Sequence, residues 1–152
     1  MRAASVVLFA AMNAACFGQV TWKRVFGAFD HDVAYDIVRT SAEEYVVVGS
    51  TGSFGNGSSD VYLFKVDSNG VRLWSKTYGA MQVDGGKALV ETSDGGFVIA
   101  GSTNRNTTNG YDGLLLKVGP SGDPEWERTY GGPDWDLFND VALTADGGLL
   151  AV

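Results

Sequence analysis

The sequence predicts an all-β protein made of consecutive copies of one unit. Three observations carry this prediction: a repeat of 52 residues, short β-compatible runs between glycine-rich turns, and no window with a sustained helical period. Tryptophan marks the repeat, at Trp22, Trp74 and Trp126. Self-similarity at a fixed period is typical of folds in which neighbouring copies bury one another.

The repeat divides the chain into unit 1 (22–73), unit 2 (74–125) and a partial unit 3 (126–152). Units 1 and 2 are identical at 16 of 52 positions, and unit 3 matches unit 2 at 9 of 27. The chain stops at Val152 inside a predicted strand, which favours a fragment of a longer protein. Besides the tryptophans, the recurring residues include Gly27, Gly79 and Gly131; Asp32, Asp84 and Asp136; and Gly49 and Gly101.

Each complete unit contains four runs of strand length, separated by turn signals. Turns are predicted at 67–70, which carries the Asn-Gly pair of a hairpin, at 93–96 and at 120–123. Glycine favours such turns because it adopts positive φ readily. The predicted strands are 33–40, 45–50, 61–66 and 72–78 in unit 1, and 87–92, 97–102, 114–118 and 125–130 in unit 2.

The second run of each unit is apolar on both faces, at 45–48 and 97–100. A strand covered on both sides has this pattern. Four short strands in about 50 residues, buried on both faces, indicate a blade of a β-propeller. The fold class predicted is therefore a partial β-propeller of about two and a half four-stranded antiparallel blades. The remaining blades, in a ring of typically 4–8, would come from its own full-length chain.

Residues 1–18 have the layout of a secretory signal peptide. Arg2 supplies the positive charge, residues 6–12 form the apolar run, and cleavage is predicted after Gly18. The alternative is a lipoprotein whose first residue is Cys16. The apolar run is shorter than the roughly 20 residues of a membrane span. We expect a secreted or cell-surface protein without a transmembrane helix.

Charge and composition exclude several classes of function. Lys and Arg number 11 against 18 Asp and Glu, a net charge of -7, so a nucleic-acid partner is not expected. One Cys and one His exclude a disulfide framework, a cysteine zinc site and a multi-histidine metal site. No cofactor is predicted, apart from calcium at the acidic loops.

The acidic loops are the candidate metal ligands. Closely spaced carboxylates on a loop can supply the oxygen ligands of Ca²⁺. The preferred interpretation is that these side chains cap turns by accepting hydrogen bonds from backbone N–H groups. The candidates are Asp30, Asp32, Asp36, Asp134, Asp136 and Asp140.

The sequence assigns no catalytic residue. Paired carboxylates could serve glycoside hydrolysis, but no feature marks one pair. His31 has no counterpart in the other units and is expected on a surface loop. Three aromatic residues outside the repeat register, Tyr111, Trp135 and Phe138, could stack on sugars, although filling gaps between blades is the preferred role.

Residues 63–79 and 92–103 resemble the propeller repeats of large secreted bacterial proteins of the Bacteroidetes type. The resemblance covers 21–152 and implies an exported repeat protein, usually without assigned activity. Asp67, Gly70 and Trp74 also resemble the quinoprotein-like repeat, and the period and double glycine resemble kelch repeats.

The function expected is that of an exported, non-catalytic β-propeller module, a binding or display scaffold of a larger protein. Glycans or surface proteins are the expected partners. The first alternative is an accessory propeller of a secreted polysaccharide-degrading enzyme. The second is a quinoprotein-like redox propeller.

Overall fold

A computed structural model describes residues 6–11, 21–105 and 110–152 of the chain. These residues form antiparallel sheets, and none of them is helical, so the all-β prediction is confirmed. The strands are β1 Val6–Ala11, β2 Thr21–Phe26, β3 Asp32–Arg39, β4 Tyr45–Thr51, β5 Asp60–Val66, β6 Arg72–Tyr78, β7 Asp84–Glu91, β8 Phe97–Thr103, β9 Asp112–Val118, β10 Pro124–Tyr130, β11 Val141–Leu143 and β12 Leu149–Ala151.

Two four-stranded sheets form the centre of the fold. Sheet 1 has the order β3-β4-β5-β6 and sheet 2 the order β7-β8-β9-β10, so each strand pairs with its neighbour in sequence. Two smaller sheets of two strands each, β1-β2 and β11-β12, come before and after them in the sequence. The tryptophan that opens a sequence unit lies on the last strand of the preceding sheet, as Trp74 does on β6. The sequence units and the sheets are therefore offset by one strand.

The predicted strands agree with the observed strands to within one or two residues, except at β7. This strand begins at Asp84, ahead of the predicted 87, because Gly85 and Gly86 continue the pairing with β8. A register shift between Gly86 and Ala88 interrupts the ladder there. Sheet 1 has the corresponding shift between Ala34 and Asp36. A bulge of this kind is not visible in the apolar pattern.

The predicted turns are confirmed by their backbone angles. Gly70, Gly95 and Gly122 have φ of 73°, 78° and 79°. In the first of these turns the backbone N–H of Asp67 donates to the carbonyl of Val71 at 3.0 Å. The left-handed conformation that each turn needs is the reason for glycine at these positions.

Both faces of the second strand in each sheet are buried, as the sequence predicted. Val46 and Val48 face sheet 2 in a core shared with Ile99, Leu114 and others. Val47 points the other way, into a second core. The second core contains Trp22, Phe26, Val47, Tyr62, Phe64 and Val66, and a third contains Ala88, Val98, Ala100, Leu115 and Val141.

The predicted signal peptide lies mostly outside the described residues. Of its eighteen residues the structure describes 6–11, which form β1 and pair with β2 from Val6 opposite Phe26 to Ala11 opposite Thr21. The predicted cleavage site at Gly18 and the alternative lipid site at Cys16 lie outside the described ranges, so export remains a prediction. Within those ranges no helix is long and apolar enough to cross a membrane.

Candidate functional site

Trp22 and Trp74 lie in equivalent places, each on the last strand of one sheet and against a turn glycine of the next sheet. Trp22 packs on Gly70, where a Cβ atom would lie 2.5 Å from its Cζ3 atom, and its indole N–H donates to the carbonyl of Ser68 at 3.0 Å. Trp74 packs on Gly122 in the same way, with a corresponding distance of 3.1 Å. Trp126 packs against the third core. Trp22 and Trp74 therefore each join one sheet to the next.

The recurring aspartates fix the backbone of three equivalent loops, one in each sequence unit. One carboxylate oxygen of Asp32, Asp84 and Asp136 accepts the backbone N–H four residues earlier, at 2.9, 3.0 and 2.8 Å. The hydroxyl of Thr51 donates to the other oxygen of Asp32. These side chains fix the loop backbone, which is the turn-capping role expected from the sequence.

The candidate calcium ligands do not converge on one point. One oxygen of Asp36 accepts the N–H of Ile37 and the other accepts the N–H of Leu89 on β7. Asp30 accepts the N–H of His31, and Asp140 accepts that of Val141. Asp134 lies exposed in the loop before Trp135. In the described parts of the chain, no group of three or more acidic, His or Cys side chains could hold a metal ion.

An arginine that the sequence analysis did not single out ties sheet 2 together. Arg105 Nε lies 2.9 Å from Oδ1 of Asp84 on β7, and its terminal nitrogens lie 2.8 and 3.2 Å from the carboxylate of Glu127 on β10. Asp84 is fully buried, so the guanidinium is its counter-charge. Fifty-two residues earlier, the same repeat positions hold Ser53 and Ser75. This paired change was the only signal of the network in the sequence.

We expect Arg105→Met to lower the free energy of unfolding by about 2 kcal/mol. The substitution leaves the buried carboxylate of Asp84 without its counter-charge, although partial exposure of the arginine reduces the effect. Urea unfolding followed by tryptophan fluorescence measures the change. Arg39→Met removes an exposed ion pair with Glu43 and should cost under about 0.5 kcal/mol. Equal losses in the two variants would contradict this account.

Asp94 organises the turn between β7 and β8. Hydrogen bonds from the Thr92 hydroxyl and the Gly96 N–H, followed by one from Lys117, hold the pKa of its carboxyl well below its usual range. A lowered pKa in the folded state stabilises the fold above the unfolded-state pKa. That contribution is lost as the pH falls towards the folded-state pKa.

We therefore expect Asp94→Asn to weaken the acid dependence of stability. The drop in thermal midpoint between about pH 6 and about pH 3 should be smaller in this variant than in the parent chain. Asp146→Asn, in the corresponding turn of unit 3, should change the acid dependence less, because the pKa of Asp146 is lowered by hydrogen bonds from Thr144 and Gly148, whereas Asp94 also has an ion pair with Lys117. An unchanged acid response in Asp94→Asn would show that this carboxylate is not responsible.

The loop tips carry exposed apolar residues that differ between units. Phe29 and Met81 hold the same repeat position and are 100% and 85% exposed. Trp135 is 65% exposed, and its ring lies 4.8 Å from that of Tyr111. Phe138 instead fills a gap against Tyr130, at 5.8 Å between ring centroids. The preferred gap-filling role therefore applies to Phe138, whereas Trp135 is open to solvent.

The comparisons with known proteins bear on the fold and not on an activity. No family model matches the chain. Over 104 residues it is 29% identical to the regulatory protein FlaEY of Caulobacter vibrioides, a match that covers 60% of this chain and 11% of that protein. A solved structure of a protein of unknown function from Bacteroides caccae matches with a TM-score of 0.52 at 14% identity, over 86% of this chain and 41% of that one.

The chain thus spans about a tenth of the length of the curated relative and less than half of the solved structure. At this level of identity the structural match concerns the fold alone.

Proposed function

We propose that the chain is a run of consecutive blades of a larger β-propeller, serving as a non-catalytic binding or display scaffold of an exported protein. One observation carries the proposal: a tryptophan on the last strand of one sheet packs on a turn glycine of the next sheet, at Trp22 on Gly70 and again at Trp74 on Gly122. The same contact repeated after 52 residues relates successive sheets by one constant step, as a propeller requires.

The apolar faces at the two ends of the array support further blades. On β3, Ile37 is exposed on the face away from sheet 2, and on β12 so is Leu150. Apolar strand residues of this kind are buried in repeat proteins by the next copy. The remaining blades of the same full-length chain would supply that cover.

The division of roles between fixed and varying residues supports a scaffold. The recurring aspartates and glycines hold loop backbone, as at Asp32 and Asp84. The loop tips, by contrast, vary from unit to unit and are exposed, as at Phe29, Met81 and Trp135. A constant frame with changing surface residues suits the binding of glycans or surface proteins. The predicted signal peptide places that surface outside the cell.

The test is the structure and the N-terminus of the exported full-length protein. We expect a closed ring whose blades repeat every 52 residues, and a mature chain that starts at Gln19. An open stack of sheets would overturn the propeller, and an acylated Cys16 found by mass spectrometry would overturn soluble secretion. The presence or absence of a catalytic domain elsewhere in the same protein would decide whether the propeller accompanies a polysaccharide-degrading enzyme.

A further inference from the structure

A groove of about 370 Å³ lies between β2 and the turn that leads into β6 of sheet 1. We call it the β2 groove. Two arginines line it, Arg24 on β2 and Arg72 at the start of β6, and both are exposed. The rest of its lining comes from residues 25–27 and 70–71, so the lining contains no acidic residue.

An equivalent groove between sheets 1 and 2 shows that two complete blades leave this space open. This β6 groove has a volume of about 320 Å³ and takes from sheet 1 only residues 77–79, the end of β6 and the glycine after it. The corresponding residues of the β2 groove are 25–27, which lie 52 positions earlier. Only the last strand of the preceding blade therefore enters such a groove, and β2 already supplies that strand. The other strands of its blade would not cover the β2 groove.

The two grooves carry opposite charge. The β6 groove is lined by Arg105, Glu125 and Glu127, and the arginine is paired with Glu127 at 2.8 Å. The β2 groove is lined by two arginines and by no acid. The chain as a whole has a net charge of -7, so the β2 groove is a local excess of positive charge on an acidic protein. Such an excess attracts anionic ligands.

The two arginines form no ion pair with any residue that the structure describes. Arg24 donates one hydrogen bond, to the carbonyl of Lys23 at 3.2 Å. At the same repeat position Lys76 is bound to Asp123 at 3.0 Å. The position of that aspartate is occupied by Val71 in the β2 groove, so Arg24 lacks the counter-charge that its equivalent has.

Asp67 is the acidic residue whose pKa responds to the charge of Arg24. A hydrogen bond from the N–H of Val71 lowers the pKa of its carboxyl, and the charge of Arg24 adds a smaller effect. Its Oδ1 atom accepts the N–H groups of Asn69 and Val71, both at 2.8 Å. This carboxylate therefore holds its own turn, and the N–H donors of the two guanidinium groups remain available to a ligand.

The apolar part of the lining favours a ring-shaped ligand. Val25 and Val71 are 56% and 54% exposed beside the arginines. A sugar ring has an apolar C–H face, and an acidic sugar carries an oxyanion next to it. Guanidinium groups bind carboxylate and sulfate oxygens through paired N–H donors. An acidic peptide offers the carboxylate at the end of a flexible side chain, without an apolar face beside it. The groove volume lies within the range of small-molecule sites.

We propose that the β2 groove binds an acidic polysaccharide. Arg24 and Arg72 bind its carboxylate or sulfate groups, and Val25 and Val71 pack against the sugar rings. The proposal specifies the charge of the glycans expected for the binding scaffold and rests on that function. The predicted cleavage site precedes β2, so the groove remains in the mature chain. All of its lining lies within residues 24–72, so its test does not depend on the number of blades.

The first test is calorimetric titration of the exported full-length protein with four polymers: polygalacturonate, dextran sulfate, unmodified dextran and polyglutamate. We expect saturable binding of at least one of the two acidic polysaccharides, and binding of polyglutamate at least about tenfold weaker. Which of the two binds identifies the oxyanion as a carboxylate or a sulfate. Failure of both to bind would overturn the proposal. Equal binding of dextran would remove the role of charge, and equal binding of polyglutamate would remove the role of the sugar.

Single substitutions locate the binding in the groove. Arg24→Gln and Arg72→Gln should each weaken binding of the acidic polysaccharide about tenfold. Lys76→Gln is the matched control, because Lys76 holds the repeat position of Arg24 but is paired with Asp123. This control should bind as the parent chain does. An equal loss in the control would show that binding follows the net charge of the protein and not the β2 groove.

A further variant restores the missing acid. Val71→Asp copies Asp123 of the β6 groove and should pair with Arg24, which weakens polysaccharide binding about tenfold. The exposure of Val71 lets the fold accept this change. Ala42→Asp, in the turn between β3 and β4, adds the same charge outside the groove and should leave binding unchanged. Equal effects of the two variants would overturn the site. A negative titration would remove this ligand class and leave the propeller to its own structural test.

Discussion

Replacing Trp74 with alanine is expected to lower the free energy of unfolding by about 3 kcal/mol. The indole packs on Gly122 and against the core shared by sheets 1 and 2. Truncation removes that apolar contact and leaves a cavity at the junction of the two sheets. The loss is measured by urea unfolding of the exported protein, followed by circular dichroism at a β-sheet wavelength, since tryptophan fluorescence changes with the substitution.

Trp135→Ala is the matched control for this prediction. Trp135 lies outside the repeat register and is largely exposed, with contact mainly to Tyr111. Its truncation should cost under about 0.5 kcal/mol, the usual range for surface positions. If the two variants lost the same stability, the repeated tryptophan would not be the joint between sheets 1 and 2. The propeller proposal would then lose the observation that carries it.

Periodicity and turn chemistry predicted most of the fold because both are local properties. The apolar runs at 45–48 and 97–100 are buried on both faces, as their pattern required. The turn glycines Gly70 and Gly122 have positive φ, as expected between two β-compatible runs. The 52-residue register then placed equivalent residues of different sheets in equivalent surroundings.

The bulges and the cross-sheet contacts were not predictable in the same way. The extended start of β7 depends on a register shift after Gly86, which apolar patterning does not encode. Asp36 reaches the N–H of Leu89 in the neighbouring sheet, although its spacing in sequence grouped it with Asp32. Sequence spacing cannot show which neighbouring backbone will face a given carboxylate.

The Arg105 network was the least accessible to sequence reasoning. The replacement of Arg105 and Glu127 by two serines was visible in the aligned units. Its meaning required the ion pair that Arg105 makes across sheet 2. An ion-pair network depends on several strands together, whereas the repeat aligns one position at a time.

Gly101→Ala is expected to destabilise the protein by about 3 kcal/mol or more. A Cβ atom at this position would lie 1.9 Å from the carbonyl oxygen of Gly85, a backbone atom that cannot move without breaking the pairing of β7 with β8. A Cβ atom at Gly49 would likewise lie 1.8 Å from the carbonyl oxygen of Val33 in sheet 1. Both contacts lie beside the register shifts, where the first two strands of each sheet come close together.

Gly132→Ala provides the control for the added methyl group, since the nearest atom to its Cβ would be 4.0 Å away. This variant should remain within about 0.5 kcal/mol of the parent, whereas Gly101→Ala should show a clearly lower urea midpoint. If Gly101→Ala were as stable as the control, β7 and β8 would not approach each other as closely as the structure has them. The recurrence of glycine at positions 49 and 101 would then lack a steric cause, and the equivalence of the two sheets would rest on the tryptophan contacts alone.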